Sequence, residues 1–264
     1  MTLIAIKVLL APGFVVLASL LGRRFGPRLG GLIGGLPVVA GPILLVYALE
    51  HGKRFAAHSA TGTLLGMVSL MAYVVVYGRL ARRGAWWRSL LAGWCAFALF
   101  TLLFTPLRVP AAVALAIVAV ALVAAPLLLP RAVAGLAART PLPSWDLPLR
   151  AVCTLVLVLS LTAAAGWLGP QLSGLLTPFP VIATVLACFS HAQYGPDDVL
   201  QLLRGLLMGY GGFALFCFVV AVATVPFGIA AAFLLACLAA VLCQFALLLR
   251  MRSLAVSAAP AAGP

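Results

Sequence analysis

Acidic residues are almost absent from this chain. Among 264 residues only Glu50, Asp146, Asp197 and Asp198 carry a carboxylate, and charged residues of both signs amount to 8%. A soluble domain carries about 25% charged residues, so an ordinary water-facing surface is excluded, whereas hydrocarbon itself disfavours charge. Paired cysteines are absent too. Cys95, Cys153, Cys188, Cys217, Cys237 and Cys243 all stand inside apolar runs and form no CxxC, which removes the signal for a zinc site or a disulfide framework and leaves them as small packing residues. There is no Walker loop, HExxH, EF-hand, GxSxG or dinucleotide fingerprint. No carboxylate pair lies within an apolar run, and three dispersed histidines make no haem or zinc site. The expectation is a protein with no catalytic residues, no metal and no cofactor, and not an enzyme.

What the chain has is hydrophobicity, at 65% of its residues. A membrane-crossing helix needs about 20 mostly apolar residues. Nine runs meet that length: approximately 2–21, 31–50, 59–80, 88–106, 109–130, 149–168, 173–193, 202–223 and 227–249. The first lacks a clear A-x-A cleavage site and is read as a retained span rather than a signal peptide.

The net charge of +13 would suggest nucleic acid in a soluble protein. Here the basic residues form short clusters between apolar runs, so no nucleic-acid partner is expected. Arg23, Arg24, Arg28, Arg79, Arg82, Arg83, Arg88, Arg131, Arg139, Arg150, Arg204, Arg250 and Arg252 fall on one side of a nine-span arrangement. Only Lys53, Arg54 and Arg108 fall on the other, and Lys7 lies inside the first run. Cytoplasmic loops collect Lys and Arg, which predicts an N-terminus outside and a C-terminus in the cytoplasm.

The chain also repeats itself. Residues 26–40 read GPRLGGLIGGLPVVA and residues 169–183 read GPQLSGLLTPFPVIA, 143 positions later with no gap. Gly26, Pro27, Gly31, Pro37 and Ala40 recur as Gly169, Pro170, Gly174, Pro180 and Ala183, and the register continues through Gly52/Gly195, Gly62/Gly205 and Gly66/Gly209. Spans 1–4 therefore correspond to spans 6–9, with span 5 between them. The odd number of intervening crossings turns the second copy over, giving an inverted-topology repeat as in many secondary transporters. The predicted fold is all-α: residues 1–107 as the first four-span repeat, 108–148 as a linker helix and cytoplasmic loop, 149–250 as the inverted second repeat, and 251–264 as a disordered tail.

Spans 2 and 7 both carry Gly and Pro near their starts: Gly30, Gly31, Gly34, Gly35, Pro37 and Pro42 in one, Gly174, Pro178 and Pro180 in the other. Proline removes a backbone donor, and a backbone group freed at membrane depth must face protein or a water-filled cavity. Such interrupted helices at matching places in two halves point to a transport site; tightly packed kinks are the alternative. Ionisable and polar candidates for substrate or coupling-ion contact are Glu50 and His51 after span 2, and Ser190, His191 and Gln193 after span 7. Glu50 matches Gln193 in register and is the first candidate for proton coupling, against simple pairing with Lys53 or Arg54. Histidine titrates near neutrality, while His191 could equally be a satisfied polar residue. Lys7 is a possible anion contact or a snorkelling residue. Asp197 and Asp198 read as a helix cap, and Gly62/Gly66 and Gly205/Gly209 as GxxxG packing.

The pattern LxGLxxxxP, followed by a span ending near Gly and then another long span, resembles the small GlpM-type inner-membrane proteins. Leu29, Gly30, Gly31, Leu32, Pro37 and Gly52 carry one copy; Leu172, Ser173, Gly174, Leu175, Pro178, Phe179, Pro180 and Gly195 carry the second. Those proteins are single four-span units, so this chain resembles a fused, inverted duplication of them. The resemblance implies a multi-pass protein of the bacterial inner membrane and carries over no catalytic residue. The leading functional expectation is a secondary transporter or flippase for a small-molecule, ionic or lipid-linked substrate, with membrane lipid as partner and a homo-oligomer possible. The alternative is a non-transporting scaffold or accessory protein of the cell envelope; a lipid-acting enzyme and a passive channel are further alternatives.

Overall fold

A computed structural model describes residues 2–132, 143–165 and 175–257, with residues 2–9, 161–165 and 250–257 as backbone only. Ten helices are formed among the described residues, with no strand: α1 (Thr2–Phe25), α2 (Pro27–Gly34), α3 (Ala40–His51), α4 (Lys53–Leu80), α5 (Trp86–Phe104), α6 (Ala111–Leu128), α7 (Asp146–Ala165), α8 (Val181–Tyr194), α9 (Pro196–Phe227) and α10 (Ile229–Ser257). Five of them, α4, α5, α6, α9 and α10 (to Leu249), are long and apolar enough to cross a membrane.

Local chemistry sets the boundaries. Gly52 (φ 88°) separates α3 from α4, and Gly195 (φ 85°) separates α8 from α9. Both need a backbone conformation that L side chains avoid. Pro27 and Pro196 follow such glycines at the first helical position, where a missing N–H costs nothing. The C-terminus departs from expectation, since α10 continues to Ser257 rather than becoming disordered from residue 251. The segment Met251–Val256 is rich in Ala, Leu, Met and Arg and holds neither Gly nor Pro, so helix propensity carries it on. Residues 258–264 lie outside the described set.

α4 and α9 form the centre. Their most apolar stretches are 72% and 61% buried, against 17–22% for α5, α6 and α10. α4 packs on α3, α5, α6 and α9; α9 packs on α2, α6, α8 and α10; α1 packs on α2 and α7. Leu64, Met67, Tyr73, Tyr77, Leu203 and Leu206 are all fully buried between them. The outer helices turn apolar side chains outward: Leu102 on α5, Val120 and Leu127 on α6, and Leu234 on α10 are each at least 67% exposed. Soluble monomers rarely expose apolar surface so broadly. The fold is that of a helical protein embedded in a membrane.

The 143-residue register persists in the backbone. α9 starts 143 positions after α4, and α10 starts 143 positions after α5. The two φ-positive glycines before α4 and α9 hold the same spacing.

Candidate functional site at the paired helix breaks

The motif expected to interrupt span 2 does so. α2 ends at Gly34 and α3 begins at Ala40. Between them Leu36 N donates to Ile33 O at 3.0 Å, Val38 N to Leu36 O at 2.8 Å, and Gly41 N to Pro37 O at 2.8 Å. The second motif makes the same three bonds: Phe179 N to Leu176 O at 2.9 Å, Val181 N to Phe179 O at 2.7 Å, and Thr184 N to Pro180 O at 2.7 Å. Every donor and every acceptor is displaced by 143 positions. The cause is shared: Pro37 and Pro180 have no N–H and clash with a preceding turn, so the chain tightens into short-range bonds before the next helix starts. The first part of the second motif, Gly169–Gly174, lies outside the described residues.

Both breaks line one cavity of about 40 Å³. Pro37, Ala40 and Leu36 face it from one break, and Phe179, Pro180 and Val181 from the other, with Leu70 of α4 and Phe213 of α9 also lining it. Leu70 and Phe213 are again 143 positions apart. The two central helices reach the breaks through glycine. A Cβ on Gly209 would lie 2.4 Å from Leu32 O and 2.8 Å from the Cα of Gly35; one on Gly66 would lie 2.5 Å from Leu175 O and 2.6 Å from Pro178 Cγ. Each central helix thus packs backbone-close on the break of the other half, as small-residue helix interfaces do. Beside the cavity Trp94 donates from Nε1 to Thr184 Oγ1 at 3.1 Å, and that hydroxyl donates to Tyr73 at 3.3 Å.

A second assembly, not foreseen from the sequence, lies at one end of the bundle. Asp146, at the first turn of α7, is fully buried. It accepts from Arg23 of α1 and Gln193 of α8, and from Nε of Arg150 at 2.8 Å. Arg150 also donates to Gln193 Oε1 at 2.8 Å and to Ser19 at 3.4 Å, and its guanidinium lies 4.8 Å from the Phe189 ring centre. Asp146 precedes the apolar run of α7. Burial pushes its carboxyl up, but the hydrogen bonds from Gln193 and Arg150 and the charges of Arg150 and Arg23 prevail and hold it below the ordinary carboxylate range. The signal available in the sequence was an acid four positions before an arginine at the edge of an apolar run, the spacing of one helix face.

The remaining candidates separate. Pro37 and Pro180 line the cavity, whereas Pro42, in the first turn of α3, does not. Glu50 and His51 are exposed at the end of α3. Glu50 forms no ion pair with Lys53 or Arg54 among the described residues, and His51 stacks on Phe55 at 4.7 Å. Gln193 belongs to the Asp146 cluster. His191 is buried, with Nδ1 3.4 Å from the Tyr77 hydroxyl. The Lys7 side chain lies outside the described residues. Asp197 and Asp198 stand in the first turn of α9, where an acid complements the helix dipole. Asp198 also accepts from Ser190 at 2.6 Å, and Asp197 pairs with Arg82 at 2.7 Å.

A larger cavity of about 790 Å³ opens beside the first turns of α4 and the α5–α6 connection, with His58, Ser59, Thr105 and Arg108 among its walls. The Asp146 cluster belongs to the other end of the bundle, because His191 of α8 meets Tyr77 near the last turn of α4.

Residues 4–109 match a family described as protein of unknown function (DUF3147). The matched stretch runs from α1 to just past α5. No curated protein matches the chain, and no solved structure matches it.

Proposed function

We propose that the protein is a secondary transporter or flippase of the bacterial inner membrane, built as two inverted repeats around a central site where the broken helices meet. In this reading α1, α2 with α3, α4, α5, α6, α7, the residues from Leu175 with α8, α9 and α10 make nine crossings. The observation that carries the proposal is the pair of breaks: identical backbone bonds in one register, lining one cavity. Duplication alone would repeat a packing kink, but it would not require the two breaks to face each other across a cavity. Paired discontinuous helices at a repeat interface are the usual setting of a transport site.

Cross-helix contacts agree with the expected sidedness. Arg23 with Asp146, Arg82 with Asp197, and Arg204 with the Pro130 carbonyl all join residues assigned to the cytoplasmic side. Gly228 lies near Lys53, both assigned to the outer side. The larger cavity then opens outward, and the Asp146 cluster closes the cytoplasmic end. The GlpM-type resemblance rests on the Leu, Gly and Pro motif alone, so the reading takes no function from it. It assigns no catalytic residue, and it takes membrane lipid as the surrounding partner.

The test is sided accessibility. Single cysteines at Leu36, Phe179 and Val181, with the native cysteines replaced, are exposed to a membrane-impermeant thiol reagent from each side of oriented proteoliposomes. Labelling whose accessible side changes with conditions supports alternating access. Inert positions beside labelled loop controls overturn it in favour of a scaffold in the cell envelope.

A further inference from the structure

We propose that the cavity between the two breaks binds a small monovalent inorganic anion of halide size, held by backbone amides of both breaks and by the Tyr210 hydroxyl. The proposal rests on the transporter reading and names its substrate class.

Helix starts leave backbone donors without intrahelical partners. α3 and α8 both begin at the cavity, and neither has a side-chain cap. In α3, Gly41 N is taken by Pro37 O and Pro42 has no N–H; in α8, Val181 N and Thr184 N are taken. The amides of Val39, Ala40, Ile182 and Ala183 have no hydrogen-bond partner among the described residues. All four residues line the cavity. They form two pairs in register, Val39 with Ile182 and Ala40 with Ala183. Two helix N-termini, each carrying partial positive charge, therefore border one cavity from the two halves.

A further donor is present. Tyr210 of α9 is 3% exposed and lines the cavity, and its hydroxyl has no hydrogen-bond partner among the described residues. An anion in the cavity would give that hydroxyl a partner together with the four amides. The position equivalent to Tyr210 in the first repeat is Met67, so this donor belongs to one half only.

Charge and size narrow the ligand. No side chain lining the cavity is charged. α2 also ends at the cavity, at Gly34 and Gly35, but its Gly31, Leu32 and Ile33 carbonyls are taken by Gly35 N, Gln244 Nε2 and Leu36 N. The unpartnered amides therefore favour an anion over a cation, and without a Lys or Arg they do not balance a dianion. A volume of about 40 Å³ holds a few water-sized centres, which suits a small ion better than a lipid headgroup or an organic acid. Walls such as Phe179 and Phe213 offer no polar side-chain group, so the ion must shed much of its water. That favours large, weakly hydrated ions such as iodide within the class.

The test measures binding of radiolabelled iodide to purified full-length protein by equilibrium dialysis, with gluconate as the balancing anion at constant ionic strength. Saturable binding is expected, with the dissociation constant raised about tenfold or more by Tyr210→Phe, as for loss of one hydrogen bond to a charged group. Thermal midpoints show whether each variant folds, and Val181→Trp, which fills the cavity, should abolish binding if Tyr210→Phe fails to fold. No saturable binding, or binding that a folded cavity variant leaves unchanged, overturns the anion site. If the sided labelling described above still alternates, the transporter reading stands without it; if that labelling is absent too, both fall.

Discussion

Arg150 donates from Nη2 to Oε1 of Gln193 at 2.8 Å, joining α7 to the last turn of α8. Both residues have counterparts 143 positions earlier: Lys7 for Arg150 and Glu50 for Gln193. If the protein is the inverted-repeat transporter proposed above, its two halves exchange conformations as access alternates. The pair formed on one side of the bundle in one state is then mirrored on the other side in the other state. Lys7 and Glu50 are predicted to join when the outer side closes and the Asp146 cluster opens. Glu50→Gln or Lys7→Met should therefore raise outside labelling of a cysteine at Phe179 relative to inside labelling, and Gln193→Leu should lower it. The prediction is lost if Gln193→Leu moves the ratio and the other two leave it unchanged.

Asp146 should also control stability. Its carboxylate is buried between Arg23 and Arg150, and removing one partner of a buried ion pair typically costs about 3–5 kcal/mol. Asp146→Ala should lower the thermal midpoint by the amount such a loss implies, while Arg83→Ala, on an exposed residue, should not. Because the folded carboxyl titrates below its unfolded value near 3.9, its contribution is complete above that pH. It declines below that point and is lost as pH falls through the folded value. Thermal midpoints across this acid range should fall less steeply for Asp146→Asn than for the parent protein. Equal slopes would show that other groups govern acid unfolding.

The helices and both breaks were legible because their causes are local. Composition defines the apolar runs, and Pro37 and Pro180 interrupt a helix whatever surrounds them. The Asp146 cluster was not legible, because Arg23, Asp146, Arg150 and Gln193 come from three helices and only Asp146 and Arg150 are sequence neighbours. The further partners of Asp197 and Asp198 are illegible for the related reason that a pattern at a helix start says nothing about Arg82 or Ser190 arriving from elsewhere. Tyr210 stood in a long apolar run with no local mark, and only its position across from the breaks distinguishes it.

Backbone-close packing makes a contrast between glycines. A Cβ at Gly205 would fall 2.0 Å from Arg28 O, a backbone atom that cannot rotate away, whereas Gly13 has nothing within 4 Å. Gly205→Ala should separate α9 from α2 and lower stability by roughly 1–3 kcal/mol or more, as overpacking does. Gly13→Ala, on an exposed face of α1, should instead stabilise by about 0.5–1 kcal/mol through helix propensity. Thermal midpoints in detergent would check both, and a neutral Gly205→Ala would contradict the interface.

Gly52 and Gly195 give a different kind of test, because space is not what they need. Neither would bring a Cβ within 4 Å of other atoms, yet they hold φ at 88° and 85°. Their ψ values of 171° and −172° place them in a region that is essentially confined to glycine. Alanine at either position should therefore cost about 1–3 kcal/mol through backbone strain alone. The two costs should be similar, since the junctions occupy one register and have one geometry. A D-alanine at the same position, introduced by semisynthesis, should recover most of the loss, because a D-residue adopts positive φ without strain. If L-alanine were tolerated at Gly52 but not at Gly195, the two junctions would not be structural equivalents, and the repeat would fail at the point where its helices turn.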